Sequence, residues 1–287
     1  MRQNASGLNY RSSYSMNFYF HDLHVHTRPH SPDAHWRATL PAMLKTAAKN
    51  GVWTIGLANH YFLDTNFNIF PKLRQEVAKK APAGMTVLVG AELCVLDPAG
   101  TIKLTPAEAA QLDFVLAGPH HFKQRWVEKP PAGSAADFIA HQHQMLLGAA
   151  KNPLVHGLAH PWVISLQHAS SRWGFTPTEF LALWTEDFFA ELGEVAKNHG
   201  TAIEIGMGIH LMAEHQGEAF WQKYARGLQA AKAAGAKFYF GSDAHHLFVI
   251  ARLDWLQPTL AKLGFQPGDI ISPDDWLGKN ANSKYGG

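Results

Sequence analysis

Asp22-Leu23-His24-Val25-His26-Thr27 closes the first apolar run of the chain. Side chains alternate between the two faces of a β-strand, so His24 and His26 point to the same side. Met16, Phe18, Tyr19, Phe20, Leu23 and Val25 surround them, as expected of a buried first strand. A same-side histidine pair at the end of a core strand is half of a metal site. Alone, His-x-His also suits ordinary core or surface histidines. What decides between these readings is whether later strands deliver matching ligands.

Six further short apolar runs follow the first, Phe18–Val25: Val52–Ala58, Met85–Ala91, Phe114–Gly118, Leu154–Ala159, Thr201–Gly206 and Lys237–Gly241. Their β-branched and aromatic content and their lengths of about five to eight residues mark them as strands. Helical spacing of apolar residues runs through Leu40–Lys49, Asn68–Lys80, Ala135–Ala150, Pro177–Asn198 and Glu218–Ala234. Gly51, Gly200 and Gly235 stand where left-handed C-caps are expected, and Thr176-Pro177 supplies an N-cap with proline after it. Strands alternating with helices imply parallel pairing through crossovers. The expected fold is therefore α/β, a distorted (β/α)7 TIM-like barrel. With no internal repeat or linker, residues 18–287 form one domain and residues 1–17 a flexible tail.

The composition sets limits on function. A chain of 287 residues with 46% hydrophobic and 17% charged residues is globular, and its net charge of +2 is scattered. Nucleic-acid binding would call for clustered basic residues, so nucleic acid is not an expected partner. No stretch reaches the roughly 20 apolar residues of a membrane span. One cysteine, Cys94, excludes an internal disulfide and suits a reducing, cytoplasmic compartment. The excess is in histidine, with 18 residues of the type most often found as metal ligands.

Active sites of such barrels sit on the loops that follow the strands. The strand exits carry His24 and His26, Asn59-His60, Gly90-Ala91-Glu92, Pro119-His120, His160-Pro161, and Ser242-Asp243-Ala244-His245. Six of the seven exits thus offer a histidine or a carboxylate. Any one of them could be an ordinary polar rim residue, but eight converging on one face point to a metal cluster. Histidine and carboxylate without cysteine suit zinc, manganese or iron.

This ordered series resembles the PHP (polymerase and histidinol phosphatase) superfamily across residues 18–250. The resemblance implies a seven-stranded barrel holding two or three divalent ions. It implies His24, His26, Glu92 and Asp243 on the first metal, and a bridging Glu92 with His120 and His160 on the second. His60, His245 and a ligand from the loop after the first strand would hold a third. Asp33 fits the usual acidic position there, with His30 and His35 as rivals; His121 rivals His120. Asn59 departs from the family, which commonly has aspartate before this histidine. As an outer partner it would still hydrogen-bond, without adding charge.

Three divalent cations, offset by Asp33, Glu92, Asp243 and a bridging hydroxide, would leave about two positive charges. Such a pocket favours a dianionic phosphomonoester. The expected enzyme is a phosphoesterase that attacks a small phosphorylated substrate with the metal-bridging hydroxide, using Glu92, Asp243 and His245. Arg172 and Arg28 are candidate phosphate clamps, since guanidinium meets phosphate through paired hydrogen bonds. Glu204, a carboxylate inside the sixth strand, is expected to support a ligand or face substrate, because burying it unpaired is costly. Cys94 reads as a core residue. The competing readings are a phosphodiesterase or exonuclease, another metal-dependent hydrolase, and a non-catalytic metal-binding domain.

Overall fold

A computed structural model describes residues 18, 20–119, 124–130, 134–161, 183–206 and 218–282. Seven strands lie side by side in chain order, each parallel to the next. They are β1 (Asp22–Val25), β2 (Thr54–His60), β3 (Thr86–Cys94), β4 (Val115–Gly118), β5 (Gly157–Leu158), β6 (Ala202–Gly206) and β7 (Lys237–Gly241). Among the helices are α1 (Leu40–Lys49), α2 (Ile69–Lys80), α3 (Pro106–Ala109) and α4 (Ala135–Lys151), then Glu186–His199 and Glu218–Ala233. The arrangement is the nearly closed, distorted (β/α)7 barrel that the alternation implies.

β5 is shorter than its apolar run, yet its ladder continues beyond it. The N–H of His156 donates to Val115 O and that of Ala159 to Ala117 O, each at 2.9 Å. One expected helix is broken within its described part. Trp184 and Thr185 interrupt Pro177–Asn198, and the next helix starts at Glu186. Thr185 is extended and its hydroxyl accepts the Phe188 N–H, while Glu186 and Asp187 place negative charge in the first turn. Thr176-Pro177 lies outside the described residues. Gly51, Gly200 and Gly235 all take positive φ just past their helices.

Closure between β7 and β1 falls to the residues after β7. Ala244 donates its N–H to His24 O at 3.2 Å and accepts from the His26 N–H at 3.1 Å. Beneath this seam the buried Asp22 carboxylate accepts the N–H of Ser242 at 2.9 Å and of Ala251 at 3.0 Å. Asp22 thereby ties the first strand to both ends of the loop that carries Asp243 and His245.

The barrel interior is filled by Leu23, Leu88, Phe114, Leu116 and Tyr239, and by Trp276 from the helix Pro273–Asn282. Trp276 stacks on Phe114 at 5.4 Å and meets Tyr239 edge-on at 5.1 Å. Phe114 immediately precedes β4, so Trp276 plugs the N-terminal end of the barrel and leaves the C-terminal end for chemistry. Trp276→Ala should lower unfolding free energy by about 3–5 kcal/mol, as for other large buried aromatics. Chemical denaturation would measure that loss.

Candidate metal centre

The site is organised around Glu92, which is 1% exposed. β2 and β3 pair in register from Thr54↔Thr86 to His60↔Glu92, which sets these two side chains next to each other at the barrel mouth. Glu92 Oε1 lies 2.8 Å from His160 Nε2, and Oε2 lies 2.8 Å from His60 Nδ1. Oε2 is also 3.4 Å from both His24 Nε2 and His26 Nε2. The alternation on β1 thus delivers both histidines to one carboxylate oxygen.

Two sets of donor atoms result, each with all its members within 4.8 Å of one another: His24, Glu92, His160 and Asp243; and His26, His60 and His245. Asp33 joins the second, its Oδ2 2.9 Å from His60 Nε2 and 3.1 Å from His245 Nε2. His30 turns instead to Glu76 and His35 to His246. His26 borders both sets, stacked on His245 at 4.1 Å while its Nε2 is 3.1 Å from Asp243 Oδ1. The resemblance implies that His26 shares a metal with His24, and the Nε2 atoms of both face the same two carboxylates, Glu92 and Asp243. His120, His121 and Arg172 lie outside the described residues.

Neighbouring polar groups fix the histidine rings. The N–H of Thr27 donates to Asn59 Oδ1 at 2.8 Å, which settles the orientation of that amide, and the Ser31 hydroxyl donates to the same oxygen at 2.8 Å. With its proton committed, Ser31 Oγ accepts from His26 Nδ1 at 3.3 Å, so the His26 Nε2 lone pair points into the site. Glu204 acts similarly from the other side. It accepts from His24 Nδ1 at 3.0 Å and, through its second oxygen, from the His160 N–H. Its carboxylate therefore faces the His24 ring and the backbone below the mouth, not the opening. Gly241 leaves room for it, since a Cβ there would collide with Glu204 Oε1.

His160 (φ 29°) and Asp243 (φ 52°) adopt left-handed conformations that non-glycine residues rarely take. Such conformations cost about 1–3 kcal/mol and persist where surrounding bonds over-determine them. Here Glu204 holds the His160 N–H, and Asp22 holds the Ser242 N–H just before Asp243. Arg28 braces the neighbouring loop, its Nε donating to Ala34 O at 2.8 Å. Cys94 is buried in the core, with Sγ facing Val95 O.

Burial would lower the pKa of His60, but the adjoining Glu92 charge and the bonds to Asp33 and Glu92 outweigh it and raise it to about 10. His24 is also raised, against burial, by Glu204, Glu92 and Asp243. His26 is pushed down to about 3 by burial and by the charges of His245 and His60. It is therefore neutral at pH 7. Its sealed Nε2 faces two carboxylates, Glu92 at 3.4 Å and Asp243 at 3.1 Å. One imidazole nitrogen and two carboxylate oxygens, all metal-ligand atoms, thus converge on one point. The residues fit divalent metal.

The fold and site define a class: a (β/α)7 barrel with a histidine–carboxylate centre at the C-terminal ends of its strands. No protein-family model matches the chain. It is similar to a probable phosphatase of Vibrio atlanticus, 25% identical over 268 residues that span 89% of this chain and 91% of the relative. A probable phosphatase of Caldicellulosiruptor bescii is 24% identical over 262 residues, 87% of this chain and 91% of that one. In fold the chain is similar to a Lactococcus lactis histidinol phosphate phosphatase crystallised with zinc, L-histidinol and phosphate. That match has a TM-score of 0.57 at 17% identity and covers 87% of this chain and 95% of that one.

Metal must displace the protons that His24 and His60 hold at pH 7. Affinity for zinc or manganese should therefore rise as pH increases toward 10, with proton release on binding. Calorimetry in buffers of different ionisation enthalpy would count those protons. Glu204→Gln should weaken metal binding about 10–100-fold, the usual range for an outer partner of a ligating histidine. Equilibrium dialysis of the folded variant would measure it.

Proposed function

We propose that the chain is a metal-dependent phosphatase that hydrolyses a small phosphate monoester at the Glu92 centre. The observation that carries this reading is the Glu92 carboxylate itself. One oxygen faces His160 and the other faces His24, His26 and His60, so a single group links two donor sets. Relatives named as phosphatases along nearly the whole chain support the same class. When bound, divalent ions supply Lewis acidity, a hydroxide nucleophile at neutral pH and charge to offset a phosphate dianion.

The protein's own part is to orient and to exclude. His24 and His26 are sealed at the bottom of the site, and Ser31 and Glu204 fix their rings. Asp243 and His245 lie nearer the opening, with side chains 30% and 24% exposed, on the side from which a phosphoryl group would arrive. Asp33, on the exposed loop after β1, adds a carboxylate beside His60 and His245. Arg28 contributes by holding that loop in place.

Phosphate release from matched mono- and diesters, with protein reconstituted separately with manganese, zinc and iron, tests the proposal. Monoester turnover should depend on metal and stop with chelator. Glu92→Ala and Asp243→Ala should each lower kcat/KM more than about a hundredfold, exceeding the effect of losing an outer partner, and should lower bound metal. Full metal content and turnover in Glu92→Ala would overturn the assignment. Diester turnover alone would replace phosphatase with phosphodiesterase.

A further inference from the structure

Large apolar side chains are seldom left in water beside a strongly polar site. Trp36 is 66% exposed and Phe248 is 62% exposed, and each belongs to a loop that carries part of the centre. Trp36 follows Asp33 by three residues in the loop after β1, and Phe248 follows His245 by three in the loop after β7. Two histidines join them into a row of rings. Trp36 lies 5.5 Å from His35, His35 lies 4.4 Å from His246, and His246 lies 5.2 Å from Phe248.

The row is fixed in place. The His35 N–H donates to His245 O at 2.9 Å, and the Ala38 N–H returns to His35 O at 2.8 Å. The Arg37 N–H donates to His35 Nδ1 at 3.3 Å, which holds that ring against the backbone. The Arg37 guanidinium sits 4.5 Å over the Trp36 ring and keeps the indole oriented. The result is an ordered aromatic edge that starts beside Asp33 and His245 and faces solvent.

We propose that the row Trp36–His35–His246–Phe248 is the seat for the organic part of the substrate, and that this part carries a flat aromatic ring. This rests on the phosphatase reading of the adjoining centre. His35 stands two residues after Asp33 and His246 directly after His245, and the His35 N–H donates to His245 O. The row therefore lies within reach of the organic part of a substrate whose phosphoryl group sits at Asp33 and His245. Flat π-systems stack on exposed aromatics whatever their edge pattern, whereas a short aliphatic alcohol gains little there. Nucleoside monophosphates and aryl phosphates share this chemistry.

The test compares adenosine 5′-monophosphate, 1-naphthyl phosphate and glycerol phosphate on metal-loaded protein, with wild type, Trp36→Ala, Phe248→Ala and Trp36→Phe. Trp36→Ala should lower kcat/KM for the ring substrates about five- to tenfold, within the range of one lost stack. Glycerol phosphate turnover should stay unchanged, and Trp36→Phe should restore the ring substrates. A preference for the nucleotide or for the aryl ester identifies which source supplies the ring. An equal loss on all three substrates, or no loss on any, would overturn the proposal. If wild type turns over no ester, the phosphatase reading fails, and the seat is then read by calorimetry with adenosine alone. Binding by wild type and loss in Trp36→Ala would uphold the seat, and no binding would overturn it. A shift from dimer to monomer in the Trp36→Ala, Phe248→Ala double variant would make the row a surface between copies and also overturn it.

Discussion

A buried carboxylate needs partners for both oxygens, and Glu92 has four imidazoles around it. Taking such a charge out of water unpaired is costly enough that a lone glutamate at the end of β3 would resist burial. His24, His60 and His160 remove that cost, but only if β1, β2 and the segment after β5 all end at the same height as β3. The electrostatic requirement of one side chain therefore fixes the relative positions of several strands. The seven-residue register of β2 against β3 is the direct expression of this constraint.

Around that hub lies a second set of polar groups with a different task. Asp22, Glu204, Asn59 and Ser31 spend their hydrogen bonds on backbone N–H groups and on the outward nitrogens of the histidine rings. Each bond removes a degree of freedom from a group that would otherwise rotate. The left-handed conformations of His160 and Asp243 show how far this is taken, since both residues are held where their intrinsic preferences would not leave them. Preorganisation of this kind matters for metal sites because the outer partners choose which ring nitrogen is left bare. For His26 that partner is a neutral serine–asparagine pair, and for His24 it is a carboxylate. The two histidines of one motif thus enter the site with different basicity.

Much of this was legible in the sequence because it is local. Strand and helix periods, the glycine stops at 51, 200 and 235, and the polar residue at each strand exit are all written within a few positions of where they act. Parallel order then follows from alternation, since crossovers admit few other topologies. Other features were not legible, for reasons that are equally physical. The break at Trp184-Thr185 depends on a hydroxyl reaching Phe188, and apolar spacing carries no trace of it. The two-residue span of β5 depends on which neighbours complete its ladder. Asp22, though part of the opening motif, showed nothing of its bonds to Ser242 and Ala251, more than two hundred residues away.

The sequence by itself determined the fold class and the kinds of ligand atom available, because these depend on the identity and spacing of residues along a chain. Only the tertiary structure decided how those atoms group. It set His26 beside His60 and His245, brought Asp33 rather than His30 or His35 to that set, turned Glu204 toward His24, and lined up Trp36 with Phe248 across two loops. Those outcomes are contacts between distant segments, fixed by strand register and loop closure, and no local pattern encodes a distance.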